Sequence, residues 1–315
     1  MSARTAARDA GVSAPAPAER TRQRRRTYAP YVFIGGAAVY LLLLTVAPLL
    51  NGLWLSFTDT SLLNPSGGSF VGMKNYSGLL ADPGFYHTLF LTVVYTVGTV
   101  VGALVFGTLA AVMLNRSFRG RWLARAVLTL PWAVPTVAAA LIFTWIFNKD
   151  SGILNRTLHA AGLPVHGWLI EPSWALVAVT AASIWKVFPF VMLVLLAALQ
   201  SVPEEIYEAA RVDGADPLST FKSVVLPYLL PTLRVVGLLV TIWSFKRFEI
   251  IWLLTQGGPV DSTNTVVIDV YREAFTNSEL GTSAAMGAVG LLLSLVATLV
   301  YFFVERGVAT RGARA

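Results

Sequence analysis

The chain has no cysteine, three histidines and few charges: only 13% of its 315 residues are Asp, Glu, Lys or Arg. The missing cysteines exclude disulfides, thiolate zinc sites and thiol redox chemistry. His87, His159 and His166 occur without a His-Glu-x-x-His pattern, so they read as incidental polar residues and no metal site is expected. No glycine loop ends in Gly-Lys-Ser or Gly-Lys-Thr, which leaves the chain unable to cradle ATP phosphates in the usual way. With no acidic metal cluster or activated nucleophile either, there is no catalytic residue to nominate and no cofactor of the chain's own.

What fills the space left by charge is apolar. Hydrophobic residues make up 55% of the chain and the mean hydropathy is +0.64, which excludes an ordinary soluble domain and points to a polytopic, all-helical membrane protein. Apolar runs occupy residues 31–54, 89–114, 127–147, 174–199, 235–254 and 285–304, and each is long enough to span a bilayer. Six transmembrane helices are therefore expected. The pI of 9.8 does not argue for nucleic acid, because the bases lie beside the apolar runs, where they set topology. Arg116, Arg119, Arg121 and Arg125 mark one loop, Arg211, Lys222 and Arg234 another, and Arg306, Arg311 and Arg314 the end. The alternate loops carry acids: Asp59 and Asp82, Asp150 and Glu171, then Asp261, Asp269, Glu273 and Glu279. Both termini are thus expected on the cytoplasmic side. Residues 1–30, rich in Ala, Pro and Arg, read as a disordered basic tail, residues 31–306 as the membrane domain, and residues 307–315 as a short cytoplasmic tail. The first run is too long for a signal-peptide core and reads as a retained helix.

The polar interlude at 201–231 is the most informative stretch. Ser201 with Glu204 fits a capping box, Ile206, Ala209 and Ala210 recur at helical spacing, and Gly214 supplies a residue suited to positive φ. Asp216 and Pro217 then restart a helix, whose stripe Leu218, Phe221 and Val225 is expected to end before Pro227. Two short helices should lie along the membrane surface, apolar faces on the protein's own spans and polar faces toward the cytoplasm.

Glu208-Ala209-Ala210, Asp213-Gly214-Ala215 and Leu226-Pro227 resemble the coupling loop of permease subunits in bacterial ATP-binding-cassette importers, with the sugar-importing branch fitting best. Phe70-Val71-Gly72, Asn75-Tyr76, Asp82-Pro83 and Thr255 with Gly257-Gly258-Pro259 resemble the outer segments of the same family. The resemblance implies an inner-membrane subunit forming half of a translocation pathway. It implies as partners a second permease subunit, two ATP-binding subunits that carry the ATP and magnesium, an extracytoplasmic sugar-binding protein and a sugar substrate. Those eight coupling-loop residues would dock on the ATPase.

Charges within the runs are exceptions, each costing about 2.5 to 3.5 kcal/mol at mid-span. Lys186 lies in the fourth run, and Lys246, Arg247 and Glu249 in the fifth. One reading pairs Lys246 with Glu249 three residues apart on one helix, their long stems reaching outward. The other places Ser183, Lys186, Val187 and Phe190 on one helix face and Val240, Ser244 and Arg247 on another, both toward a shared pathway. These positions resemble the sugar-contacting sites of the maltose-type permease, where asparagines and a tyrosine stand instead, so the sugar is left open. The rival functions are a membrane-embedded enzyme binding an anionic lipid through Lys186 and Arg247, and a passive channel; neither accounts for a coupling loop.

Overall fold

The computed structural model describes residues 29–312, with side chains over 34–303; the basic N-terminal tail and the arginines beyond Val304 lie outside the described side chains. The described residues fold into helices, turns and three isolated bridges, with no strand among them. Contacts divide the chain at residues 49 and 50. The first part contains α1 (Ala29–Leu41), a π-helical turn (Leu42–Val46) and the start of α2 (Ala47–Leu55). Its side chains over 34–49 are exposed and, Thr45 apart, include no small polar or charged residue, as a lipid-facing helix requires.

The second part begins with the end of α2 and continues through α3 (Lys74–Ala81), α4 (Pro83–Asn115), α5 (Arg121–Ala133), α6 (Thr136–Ile146), α7 (Ile153–Ala160) and α8 (Pro172–Leu199). After them come α9 (Glu204–Val212), α10 (Pro217–Thr220), α11 (Leu226–Phe245), α12 (Glu249–Thr255), α13 (Val266–Tyr271) and α14 (Leu280–Gly312). Five helical segments are long and apolar enough to cross a membrane, and α5 with α6 makes a sixth if that bent pair is one span. The six-span reading therefore stands, with two of its spans built differently from expectation.

The third run is not one helix: α5 and α6 meet at an angle of 100°. Pro135 explains the break. Its ring disfavours helical geometry at the preceding residue, and Val134 accordingly adopts φ −64°, ψ 130°. The fifth run is also interrupted. The helix stops at Phe245 and resumes at Glu249, so Lys246 and Glu249 do not share a continuous helix face, and no ion pair joins them among the described residues. The same helix starts earlier than expected. From Pro217 it runs through a π-helical turn (Phe221–Val225) into α11, and Pro227 sits in the first turn of α11 instead of ending the chain's second short helix.

Close approach of α4 and α8 organises the centre. Gly98 faces Thr180, Gly102 faces Ile184, and a Cβ on Gly107 would lie 2.6 Å from Cβ of Val191. Small residues on one face let two backbones approach where water provides no hydrophobic drive, so dispersion and shape hold the pair. Ala103, Ala110 and Ala111 extend this face, and Val187, Val191, Leu195, Val236 and Val240 close the core against α11. Asn155 of α7 binds the carbonyls of Lys149 (2.9 Å) and His166 (2.8 Å) and accepts from Nε1 of Trp168 (2.8 Å), tying the loop before α8 to α7. His166 itself stacks 4.2 Å from Trp174, so it belongs to the architecture of that loop.

Candidate functional site

The coupling segment is built from its caps. Pro203, not Ser201, precedes α9, and no side chain caps it; the Ser201 hydroxyl instead donates backwards to the Ala198 carbonyl at 2.8 Å. Glu204 and Glu205 occupy the first turn and Arg211 the last, matching the helix dipole, and Arg211 reaches Glu204 at 3.0 Å. At the other end Gly214 takes φ +76°. The Ala215 N–H then donates to the Ala210 carbonyl (3.0 Å) and the Gly214 N–H to that of Arg211 (3.1 Å), the paired bonds of a Schellman turn. Asp216 caps the next helix by accepting from the Ser219 N–H at 2.7 Å. Bonds from Ser219, first through its side chain, hold the Asp216 carboxyl below its ordinary range.

Tyr207 and Phe221 turn inward onto the α4–α8–α11 core. They line a cavity of about 640 Å³ with Asn115, Arg116, Glu204 and Arg211. Burial, reinforced by Glu204, pushes the Tyr207 phenol up. Glu208, Ala209, Asp213 and Gly214 are exposed, Ala210 and Ala215 half-buried, and Leu226 (half-buried) and Pro227 (exposed) lie on the continuous helix beyond. Not every apolar side chain packs inward as expected: Ile206 and Leu218 are exposed, and Val212 is 86% exposed beside the turn. Their positions on the helix face were legible, but which side the core would take was not.

The second set of residues lies within the spans. Ser183 is fully buried and bonded to the Tyr95 hydroxyl at 2.7 Å, while Val187 and Val240 are packed in the core. The Lys186 head donates to the carbonyls of Pro131 (3.1 Å), Trp132 (3.2 Å) and Val134. Phe190 and Arg247 are half-buried, and Ser244 is buried. The Phe190 ring lies 5.3 Å from Trp132 and 4.8 Å from Trp243, and the two tryptophans are 5.9 Å apart. Next to Trp243, the break between α11 and α12 forms a cavity of about 390 Å³ lined by Thr136, Trp243, Lys246, Arg247, Phe248 and Glu249. Ser244 Oγ and Arg247 Nε are buried atoms without a hydrogen-bond partner. From Phe248 the aromatic surface continues through Tyr271 (4.9 Å) to Phe275 (a further 4.9 Å). The tryptophans and Phe248 were missed in the sequence, where an aromatic residue in a span has no signal separating wall from core.

A chain with broken spans, a short exposed helix and an exposed glycine turn has the parts of a coupled transporter, and comparison with known proteins decides which. Residues 103–310 match the family described as binding-protein-dependent transport system inner membrane component. The chain belongs to that family. This permease is 35% identical to the sulfoquinovosyl glycerol transport system permease protein of Agrobacterium fabrum, over 87% of its own length and 89% of the relative's. It is 33% identical to the trehalose/maltose transport system permease protein of Thermococcus litoralis, over 88% and 93% of the two chains. Its fold matches a chain of the bacterial alginate importer crystallised with a periplasmic protein, with a TM-score of 0.79 over 89% and 95% of the chains at 21% identity. The permease is therefore an inner-membrane transport subunit, not an enzyme, and ATP hydrolysis belongs to a separate chain.

Proposed function

We propose that this permease forms half of a sugar-import pathway and couples it to a partner ATPase through residues 201–231. The observation that carries the proposal is the Schellman turn at Gly214, which presents Glu208, Ala209, Val212 and Asp213 outward while Tyr207 and Phe221 anchor the helices inward. An exposed rigid corner on an anchored base transmits force to whatever it contacts. Two ATP-binding subunits, holding ATP and magnesium, would grip this corner and its counterpart on a second permease subunit. An extracytoplasmic binding protein would deliver the sugar to the other face. Both termini would lie on the coupling side.

Within the membrane, Phe190, Ser244 and Arg247, with Trp132 and Trp243, are the pathway residues we favour. Flat aromatic faces pack against sugar rings, while unpaired hydroxyl and guanidinium groups bind sugar hydroxyls. Ser183, Val187 and Val240 would form the wall behind them. The relatives' sulfoquinovosyl glycerol and trehalose/maltose support a sugar cargo. Reconstitution with the cognate ATPase and binding protein, followed by uptake of a panel of labelled sugars, tests the reading. ATP-dependent uptake of one or more sugars is expected, and Arg247→Ala should raise the KM at least five-fold while the ATPase still co-purifies. Failure of any ATPase to co-purify would overturn it.

A further inference from the structure

We infer that Lys186 is a positioning residue: it holds the elbow between α5 and α6 and thereby sets Trp132 and Thr136 on either side of the pathway. The elbow leaves backbone carbonyls without helical partners. Pro135 has no N–H, so the Pro131 carbonyl four residues earlier loses its helical partner. The helix ends at Ala133, leaving the Trp132 and Val134 carbonyls in the same position. Unpaired backbone groups are costly inside a membrane, where water does not replace the lost partner. Lys186 arrives from α8 and donates to all three, using the three donors of an ammonium head. The negative end of a helix favours a cation there as well. No carboxylate among the described residues forms an ion pair with it.

This geometry gives Lys186 a task beyond compensation for its own burial. Its carbonyl partners all come from the end of α5, two from its last turn and one from Val134, the extended residue that closes it, so holding Val134 also fixes where Pro135 and α6 begin. On the α5 side, Trp132 stacks on Phe190 and Trp243; on the α6 side, Thr136 lines the cavity with Arg247. The two sides therefore keep their spacing only while the elbow is pinned to α8. Because α8 runs on to Leu199, immediately before the coupling segment, the pin also ties the elbow to the helix that leads there.

The test uses the assembled importer and exploits the absence of native cysteine in this chain. Lys186→Met, similar in length but without donors, should raise the uptake KM at least five-fold. In the same background, Val134→Cys, at a half-buried position, should react at least five-fold faster with a maleimide in the absence of sugar. Lys186→Arg, which keeps charge and donors, should bring both readouts to within about two-fold of the parent. A protein that is merely destabilised would lose assembled complex, and so Vmax, at an unchanged KM. Unchanged KM and labelling would overturn the inference. So would a raised KM with unchanged labelling, since Lys186 would then be touching the sugar directly. If Lys186→Met does not assemble, Lys186→Gln, which retains one amide, is read by the same two measurements with the same expected direction. The labelling readout needs only inserted protein, so it is independent of the sugar reading and of its failure.

Discussion

The Tyr95 hydroxyl lies 2.7 Å from Ser183 Oγ, a buried contact between α4 and α8 across 88 residues of sequence. Ser183 also donates to the Val179 carbonyl at 2.9 Å. A hydroxyl has one proton, so with the Ser183 proton on the Val179 carbonyl Tyr95 is the donor to Ser183. Ser183→Ala then strands a buried O–H and should cost about 1–3 kcal/mol, whereas Tyr95→Phe strands only a lone pair and should cost about 0.5–1.5 kcal/mol. Thermal unfolding of the detergent-purified assembly measures both. The opposite order would mean that the proton runs the other way.

Gly107 sets the α4–α8 distance, with the position of an added Cβ only 2.6 Å from Val191 Cβ and 3.1 Å from the Met192 nitrogen. Gly107→Leu should destabilise by about 1–3 kcal/mol or more, because neither a β-branched neighbour nor backbone gives way. Gly287, with open space around it, is the control, and Gly287→Ala should assemble normally. Equal yields and melting temperatures for the two variants would show that the helices are free to separate.

Gly214 is constrained by conformation alone: its φ is +76°, and nothing lies within 4 Å of an added Cβ. Left-handed geometry costs an L-residue roughly 1–2 kcal/mol, and a β-branched one more. Gly214→Val should insert in the membrane but lose most substrate-stimulated ATPase activity, while Gly214→Asn, which tolerates this region, should keep it. Glu208→Ala should act more mildly, since the turn survives and a charged contact is lost. If Gly214→Val couples as well as Gly214→Asn in proteoliposomes, the turn is not the transmitting element.

Asp269 in α13, outside the spans, carries a pH dependence. Burial pushes its carboxyl pKa up, against bonds from Asn264 at 3.0 Å and Thr88 at 3.4 Å. A raised folded-state pKa means that the folded protein binds the proton more tightly than the unfolded chain. The group's stabilising contribution is complete below the unfolded pKa of about 3.9 and is lost as pH rises through the folded value. Asp269→Asn should therefore raise the melting temperature at pH 7 and flatten its dependence between acidic and neutral pH. A lower melting temperature at pH 7 would show that the two donors outweigh desolvation.

Apolar length was enough to specify an all-helical chain with five segments able to cross a membrane and a sixth in the bent pair α5 and α6 if it is one span, because lipid leaves the backbone few alternatives to helix. The turn at Gly214 and the cap at Asp216 were equally legible, being local choices made by the residues themselves. Proline positions were visible too, but whether Pro135 would kink a helix or end it depended on a partner for the freed carbonyls. That partner is Lys186, which charge and periodicity alone had placed in the substrate pathway. Which helix would neighbour α5 was not written in either segment. Ser183 and Val187 share a face with Phe190, yet only packing against α4 could divide that face into core and cavity wall. The break after Phe245 carries no proline or glycine, and so it was silent in the sequence. Tertiary contacts decided it, because periodicity reports what a helix would bury and not where neighbouring helices leave it room to stop.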